Sequence, residues 1–284
     1  DILFAFPMRQ IIHRLGQPSV FLDQLDAAWH AENSAHDPDS KASWLPFHGG
    51  WFVYLGYELL HEIEASVLPR DIGSDFPVGF AARVPAAIMV DHEHDTTYLY
   101  SEPAHAELLE LIKHDITHSP PYTATEIACH ALVEEAPEQY LNGVAQIKRY
   151  IQEGDVFQVN LARRWQGQLQ GDAGGLYHAL TQSNPAPFGG LANLGNDAHI
   201  VSSSPERLVR VRHGVIETRP IAGTHPRSTD PTQDLQLKAQ LLSTAKERAE
   251  HIMLVDLERN DLGRICKPGS VTVPALLDVA TYAH

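Results

Sequence analysis

The sequence predicts an α+β protein with large mixed or antiparallel β-sheets and helices packed outside them. Strand-like runs are interspersed with helical ones, without the regular βαβ alternation of a parallel sheet. Residues 137–153 have the spacing of an amphipathic helix. Two apolar runs, 86–90 and 96–100, flank the polar pentapeptide "DHEHD" in the manner of a hairpin.

The elements follow in chain order. The chain begins at Asp1, with no Met, and enters the strand-like run 2–6 at once. "GGWFVYLGYELL" (49–60) has the Gly and aromatic content of a strand lying close to another backbone. After the hairpin a short helix is expected near 104–117. In the 137–153 helix, Pro137 suits the first turn and Glu138 the positive end of the dipole. Tyr140, Val144, Ile147 and Ile151 form its apolar stripe, and Gly154 stops it.

"DVFQVNLARRW" alternates, so Phe157, Val159 and Leu161 would share one strand face, with Gln158 and Asn160 on the other. A helix near 174–183, the strand "HIVSSS", and a pairing of "RLVRV" with "VIETR" come next. Helices near 232–242 and from 245 onward close the series. Thr244 and Glu247 fit a capping box. The apolar run Ile252-Met253-Leu254-Val255 calls for burial, although many carboxylates surround it.

Composition narrows the function. With 284 residues, 43% hydrophobic and 20% charged, this is ordinary globular composition. A net charge of −15 argues against a nucleic-acid or anionic-membrane partner. Two distant cysteines, Cys129 and Cys266, suggest a reducing compartment. No apolar run approaches a membrane span and no signal peptide precedes the first strand, so a cytoplasmic protein is expected. The abrupt ends suggest part of a longer chain.

Several motifs yield bland readings. "DHEHD" reads as a solvated hairpin tip. Seventeen histidines occur, yet none falls in an HExxH. "GDAGG" (171–175) lacks the Lys and Ser/Thr of a phosphate loop, and "SSSPE" is no nucleophile elbow.

Three patches carry more chemistry. Glu206 follows a proline directly after a strand. Gly223 and Thr224 sit in a turn between prolines, where backbone N–H groups and a hydroxyl could cradle a carboxylate. Glu250 lies beside the apolar run. Each alone would serve as well as a capped turn or a paired charge. Together, separate carboxylates and an anion cradle suggest one acid to hold a hard cation and another to move a proton.

The ordered set "GDVFQVNLARR", "NPAPF", "SSSPERL", "ETRPIAGTHPR" and "KERAEHIMLVDLERNDLGR" resembles the chorismate-utilising enzymes. That family includes the large subunits (component I) of anthranilate synthase and of aminodeoxychorismate (para-aminobenzoate) synthase. The resemblance covers nearly the whole chain, including "LPFHGGWFVYLGYEL". It implies an anthranilate synthase component I-like fold, with 1–125 as its amino-terminal β-rich part. Residues 126–284 would be the first portion of the chorismate-binding region. "QVNLARR" and "NPAPF" lean to the para-aminobenzoate branch, whereas Ala222, where many of that branch carry a nucleophilic Lys, and the ending "YAH" lean to anthranilate synthase.

The resemblance further implies roles. Glu206 matches the general acid, Gly223 and Thr224 substrate contacts, Glu250 a Mg²⁺ ligand and Glu247 a nearby second acidic position. Asp1, Ile2, Pro187, Phe188 and Gly189 match a tryptophan pocket. Burial among other acids would keep Glu206 protonated. A glutamine amidotransferase subunit supplying ammonia is the implied partner. Product identity separates the two synthases, and a non-catalytic tryptophan-binding or scaffold homologue is a further alternative. The family's second metal glutamate, catalytic His, "GAPK" stretch and carboxylate-binding Arg would follow residue 284. The chain alone is therefore expected to be inactive and to bind Mg²⁺ weakly.

Overall fold

A computed structural model describes residues 1–18, 20–32, 44–64, 66–68 and 75–283. His284, the end of "YAH", lies outside them. The chain divides into two units. Unit 1 comprises Asp1–Tyr122 with Asn193–Ala198, and unit 2 comprises Thr123–Ala192 with the residues from His199 on.

Unit 1 is built on two three-stranded antiparallel sheets. One has β1 (Ile2–Ala5), β5 (Ala86–Asp91) and β6 (Thr96–Ser101) in the order β1-β5-β6. The other has β2 (Gln10–His13), β4 (Gly79–Val84) and β3 (Gly50–Leu55) in the order β2-β4-β3. Register follows the apolar pattern: Ile2 pairs with Met89, and Ala86 with Ser101. Between β5 and β6, Asp91 Oδ1 accepts from the N–H groups of Glu93 and His94 (3.0 and 3.2 Å), closing the solvated tip that the polar pentapeptide predicts. Only Pro85 separates β4 from β5, so one extended run serves both sheets. Proline has no N–H for a ladder, and the switch of sheets falls there.

Two helices cover these sheets: α1 (Phe21–Glu32) and α3 (Leu108–His118). A one-turn α2 (Leu60–Ile63) follows β3. Phe21, Ile11, Ala28, Leu59, Val78 and Ala81 form one buried cluster, and Ala86, Leu108 and Ile112 another. Gly79 is required because the Phe21 ring lies where its Cβ would stand, 2.7 Å from the nearest ring carbon. Glu62 supplies the α1 cap from a distance, accepting from Phe21 and Leu22 N–H at 2.9 and 3.0 Å. Helix α1 and strands β2 and β4 are not evident in the sequence, since their apolar residues follow no clean period.

Arg83 ties unit 1 together. Its guanidinium donates to both Glu102 oxygens (2.6 and 2.7 Å), to Glu32, and to the carbonyls of Gly50 and Val84. Burial draws its pKa down, but hydrogen bonds from Glu102 and Glu32 more than reverse this, and the net shift is upward.

Unit 2 contains β7 (Ala128–Glu134), α4 (Pro137–Glu153), β8 (Trp165–Gln170), α5 (Ala173–Ser183), β9 (Phe188–Asn193), β10 (His199–Ser204), β11 (Arg210–Arg212), β12 (Val215–Glu217), α6 (Pro231–Ser243) and α7 (Ala245–Gly263). Its strands pair two by two: β7 with β8, β9 with β10, and β11 with β12. Helix α4 has the predicted limits, and Gly154 ends it in the left-handed conformation at φ 83°.

Three local expectations fail. Residues 156–161 are not a strand; alternation gives an extended chain two faces, but a strand also needs a bonded neighbour, and β8 begins only at Trp165. The capping box does not form either: the Thr244 hydroxyl donates to Gln240 O (2.9 Å), and Glu247 is engaged elsewhere. Finally, the apolar run of α7 is not buried, and Ile252 is 46% exposed. Among the described residues every fully buried apolar side chain belongs to unit 1. No described helix is long and apolar enough to cross a membrane.

Replacing Arg83 by Met strands two carboxylates. Loss of stability toward the low end of the ~3–5 kcal/mol typical of broken buried pairs is expected, because Glu32 is one-third exposed. Urea unfolding followed by unit 1 tryptophan fluorescence reads this; an unchanged midpoint would count against the clamp.

Candidate functional site

The site is assembled by three stretches of unit 2: the segment after β10, the turn after β12, and the start of α7. At residues 219–225, Arg219-Pro220-Ile221-Ala222-Gly223-Thr224-His225 run without regular structure, stiffened by prolines at 220 and 226. Glu206 secures that turn, its Oε1 accepting from Ile221 N–H at 2.6 Å. From the other side the Glu247 carboxylate rests on Gly223, where a Cβ would collide with it. Only glycine permits that approach.

These segments line a cavity of about 350 Å³, within the range of small-ligand sites. Glu206, Gly223, Thr224, Glu247, Pro187 and Phe188 all contribute to its wall. Glu250 does not: one helical turn beyond Glu247, it accepts from Gln158 Nε2 at 3.1 Å. Glu206 is solvent-exposed, not buried among acids. Its carboxylate is positioned by a backbone donor instead. Gly189 N–H donates to Ala186 O at 3.2 Å. Asp1 and Ile2 are in unit 1, at the β1 edge, where Asp1 O accepts from Val90 N–H and its carboxylate meets His92 at 2.9 Å.

Sequence reasoning missed the cations. Arg207, Arg219, Arg227 and Arg248 line the cavity against three carboxylates, Glu206, Glu247 and Asp278, with His225 and His251 beside them. Three of these arginines are already paired, Arg207 with Glu217 (3.6 Å), Arg219 with Asp278 and Arg227 with Asp234, so the net charge of the wall is not positive. Among the described residues Arg248 is the guanidinium left to favour an anionic group on a ligand. The Nε of Arg207 is buried without a partner, and Arg248 has no carboxylate partner among the described residues. Arg219 and Arg227 bracket the "RPIAGTHPR" turn, a signal that could have found them.

Residues 277–282 complete the wall. Asp278 pairs with Arg219 (3.0 Å), Tyr282 O accepts from Arg227 Nη1 (2.6 Å), and Leu277 N–H points at His251 Nε2 (3.4 Å). Arg227 also grips Asp234 with two hydrogen bonds, 2.8 and 3.0 Å. The Arg227 bonds and a further one from Ser228 N–H hold the Asp234 carboxyl below the usual carboxylate range.

Among the described residues no group of three His, Cys, Asp or Glu side chains is arranged to hold a metal. Mg²⁺ commonly uses one or two protein carboxylates and takes its other oxygens from water and substrate. Glu247 offers one such carboxylate in the wall; Glu250, outside it and bonded to Gln158, does not take the place expected of a metal ligand beside a bound substrate.

The family model described as chorismate binding enzyme matches residues 4–284. Aminodeoxychorismate synthase component 1 of Klebsiella aerogenes is 37% identical over 239 residues, covering 84% of this chain and 52% of that protein. Anthranilate synthase component 1 of Streptomyces coelicolor is 35% identical over 262 residues, covering 84% and 51%. The chain thus spans about half the length of these relatives. The crystal structure of anthranilate synthase component I from Streptococcus pneumoniae superposes with a TM-score of 0.83 at 26% identity, over 99% of this chain and 65% of that one. The fold is therefore the α+β architecture expected from the sequence.

The Arg227–Asp234 contact has a defined pH dependence. Asp234 titrates lower when folded, so the contact's contribution is complete above the ordinary Asp value of about 3.9 and disappears as pH falls through the depressed folded value. Carboxyl NMR should place the Asp234 midpoint below that of a model aspartate. A midpoint at or above it would mean the grip is absent.

Proposed function

The chain belongs to the chorismate-binding enzyme family, and we propose that the protein carrying it is an aminodeoxychorismate synthase component I, replacing the C4 hydroxyl of chorismate with an amino group. The observation that carries this reading is the convergence of Glu206, the Gly223–Thr224 turn, Glu247 and Arg248 on one cavity.

Chorismate is a dianion with a poor leaving group, and each part of the cavity answers one of those difficulties. Arg248, which has no carboxylate partner among the described residues, favours entry of a substrate carboxylate. The Gly223–Thr224 turn offers N–H groups and a hydroxyl to a carboxylate. Glu206, fixed by Ile221 N–H and open to solvent, would take a proton from water and pass it to the departing hydroxyl, which leaves as water. Glu247, in the wall, is the carboxylate placed to hold Mg²⁺ there, and the ion when bound would neutralise substrate charge.

Among the described residues no lysine lines the cavity, and position 222 in its wall is alanine. The nucleophile is then ammonia itself, adding to the ring as water departs, and a glutamine amidotransferase subunit is its natural source. The name component 1 in the relatives supports a partner subunit of some kind. Ala222 also favours a second reading, anthranilate synthase component I, and both kinds of relative have similar identity.

Incubating the protein that carries this chain with chorismate, Mg²⁺ and ammonium separates the readings. Aminodeoxychorismate supports the first; fluorescent anthranilate with pyruvate supports the second; no loss of chorismate overturns both. The substitution Glu206→Gln keeps an oxygen for Ile221 N–H but removes the acidic proton. A fall in turnover of roughly 10²–10⁴ is expected in steady-state assays, and unchanged turnover would remove Glu206 from the mechanism.

A further inference from the structure

We propose that Arg219 receives the second carboxylate of a dianionic ligand, and that Asp278 holds its place as an internal stand-in which the ligand displaces. The inference rests on the reading of the cavity as a chorismate site, and adds what selects a dianion there.

A dianion brings two carboxylates to a wall in which Arg248 is the guanidinium without a carboxylate partner among the described residues. A second guanidinium becomes available when one of the paired arginines exchanges its partner. The three pairs are not equally exchangeable. Arg227 grips Asp234 through both Nε and Nη2, at 2.8 and 3.0 Å, and its Nη1 is held by Tyr282 O. Its donors are spent. Arg207 lies 3.6 Å from Glu217, but its Nε is buried, so it turns to a ligand only if its whole side chain moves. Arg219 meets Asp278 with Nη2 alone, at 3.0 Å, and the two side chains are 63 and 64% exposed. A guanidinium binds a carboxylate best as a fork of two parallel bonds. Asp278 leaves that fork incomplete, and water screens the contact.

Asp278 also stands on a part of the wall that can yield. Residues 277–282 have no regular structure, and their two ends are tethered without it: Leu277 N–H to His251 Nε2 at 3.4 Å, and Tyr282 O to Arg227 at 2.6 Å. The Asp278 side chain therefore turns aside while the strap keeps its course. A ligand carboxylate delivered by a ring already held at Arg248 reaches Arg219 at high effective concentration and completes the fork. A ligand with a single carboxylate is satisfied at Arg248 and has no second charge with which to open the pair. The contact thus favours dianions over monoanions of the same size.

Isothermal titration of the protein that carries this chain, with Mg²⁺ and ammonium omitted, tests the exchange. The probes are chorismate and isophthalate, each with two carboxylates, and benzoate, with one. Asp278→Asn should tighten both dianions about two- to fivefold, the range an exposed ion pair commands, and leave benzoate unchanged. Arg219→Gln should weaken the dianions by roughly tenfold or more, and adding Asp278→Asn to it should change nothing further. Asp278→Ala serves as a second variant and should act in the same direction. The stand-in does not exist if neither Asp278 variant tightens a dianion, if benzoate gains as much, or if the gain persists beside Arg219→Gln. The expected pattern in a protein that does not consume chorismate would keep the stand-in and overturn the reading of the cavity. Turnover of chorismate without the pattern would do the reverse.

Discussion

The Glu247 carboxylate lying directly against Gly223 is the contact on which the cavity depends. It joins the start of α7 to the turn after β12, and it requires position 223 to have no side chain. With the same turn tied to Glu206 through Ile221 N–H, three segments become one wall. Prolines 220 and 226 restrict the backbone between them, so little ordering is left for a ligand to impose. Glu247 therefore fills a place in the wall that a capping box would have taken it away from.

The two units reach order by different means. Unit 1 has two buried apolar clusters, one in which Phe21 packs with Ala81 of β4 and one in which Ile112 packs with Ala86 of β5. Unit 2 has no fully buried apolar side chain among its described residues, and its cavity is framed by ion pairs and single hydrogen bonds. Exposed ion pairs are weak individually because water screens them. Their effect here is directional: Arg219 and Arg227 fix where residues 277–282 run, without adding much cohesion.

Sequence patterns revealed elements in proportion to how local their causes were. Helix α4 was legible to the residue because stripe, first-turn proline and terminal glycine all lie within it. The β5–β6 hairpin was legible for the same reason. Strands β2 and β4 were not, since their identity rests on a partner dozens of residues away. The segment 156–161 shows the converse error, a strand pattern without a strand neighbour. At the site, acids and turn could be named from motifs, whereas the arginines could not: each occupies an ordinary polar position until the fold brings them together. Glu206 and Glu250 show that a residue's place in a motif does not determine its burial.

Pro85 sets the mechanics of unit 1. Because β4 and β5 are one uninterrupted run, the two sheets share a common spar, fixed in one by Val53 opposite Ala81 and in the other by Met89 between Ile2 and Tyr98. A displacement of either sheet along its strands must pull the other through that spar. The registers of the two hydrogen-bonded ribbons are therefore coupled through Pro85.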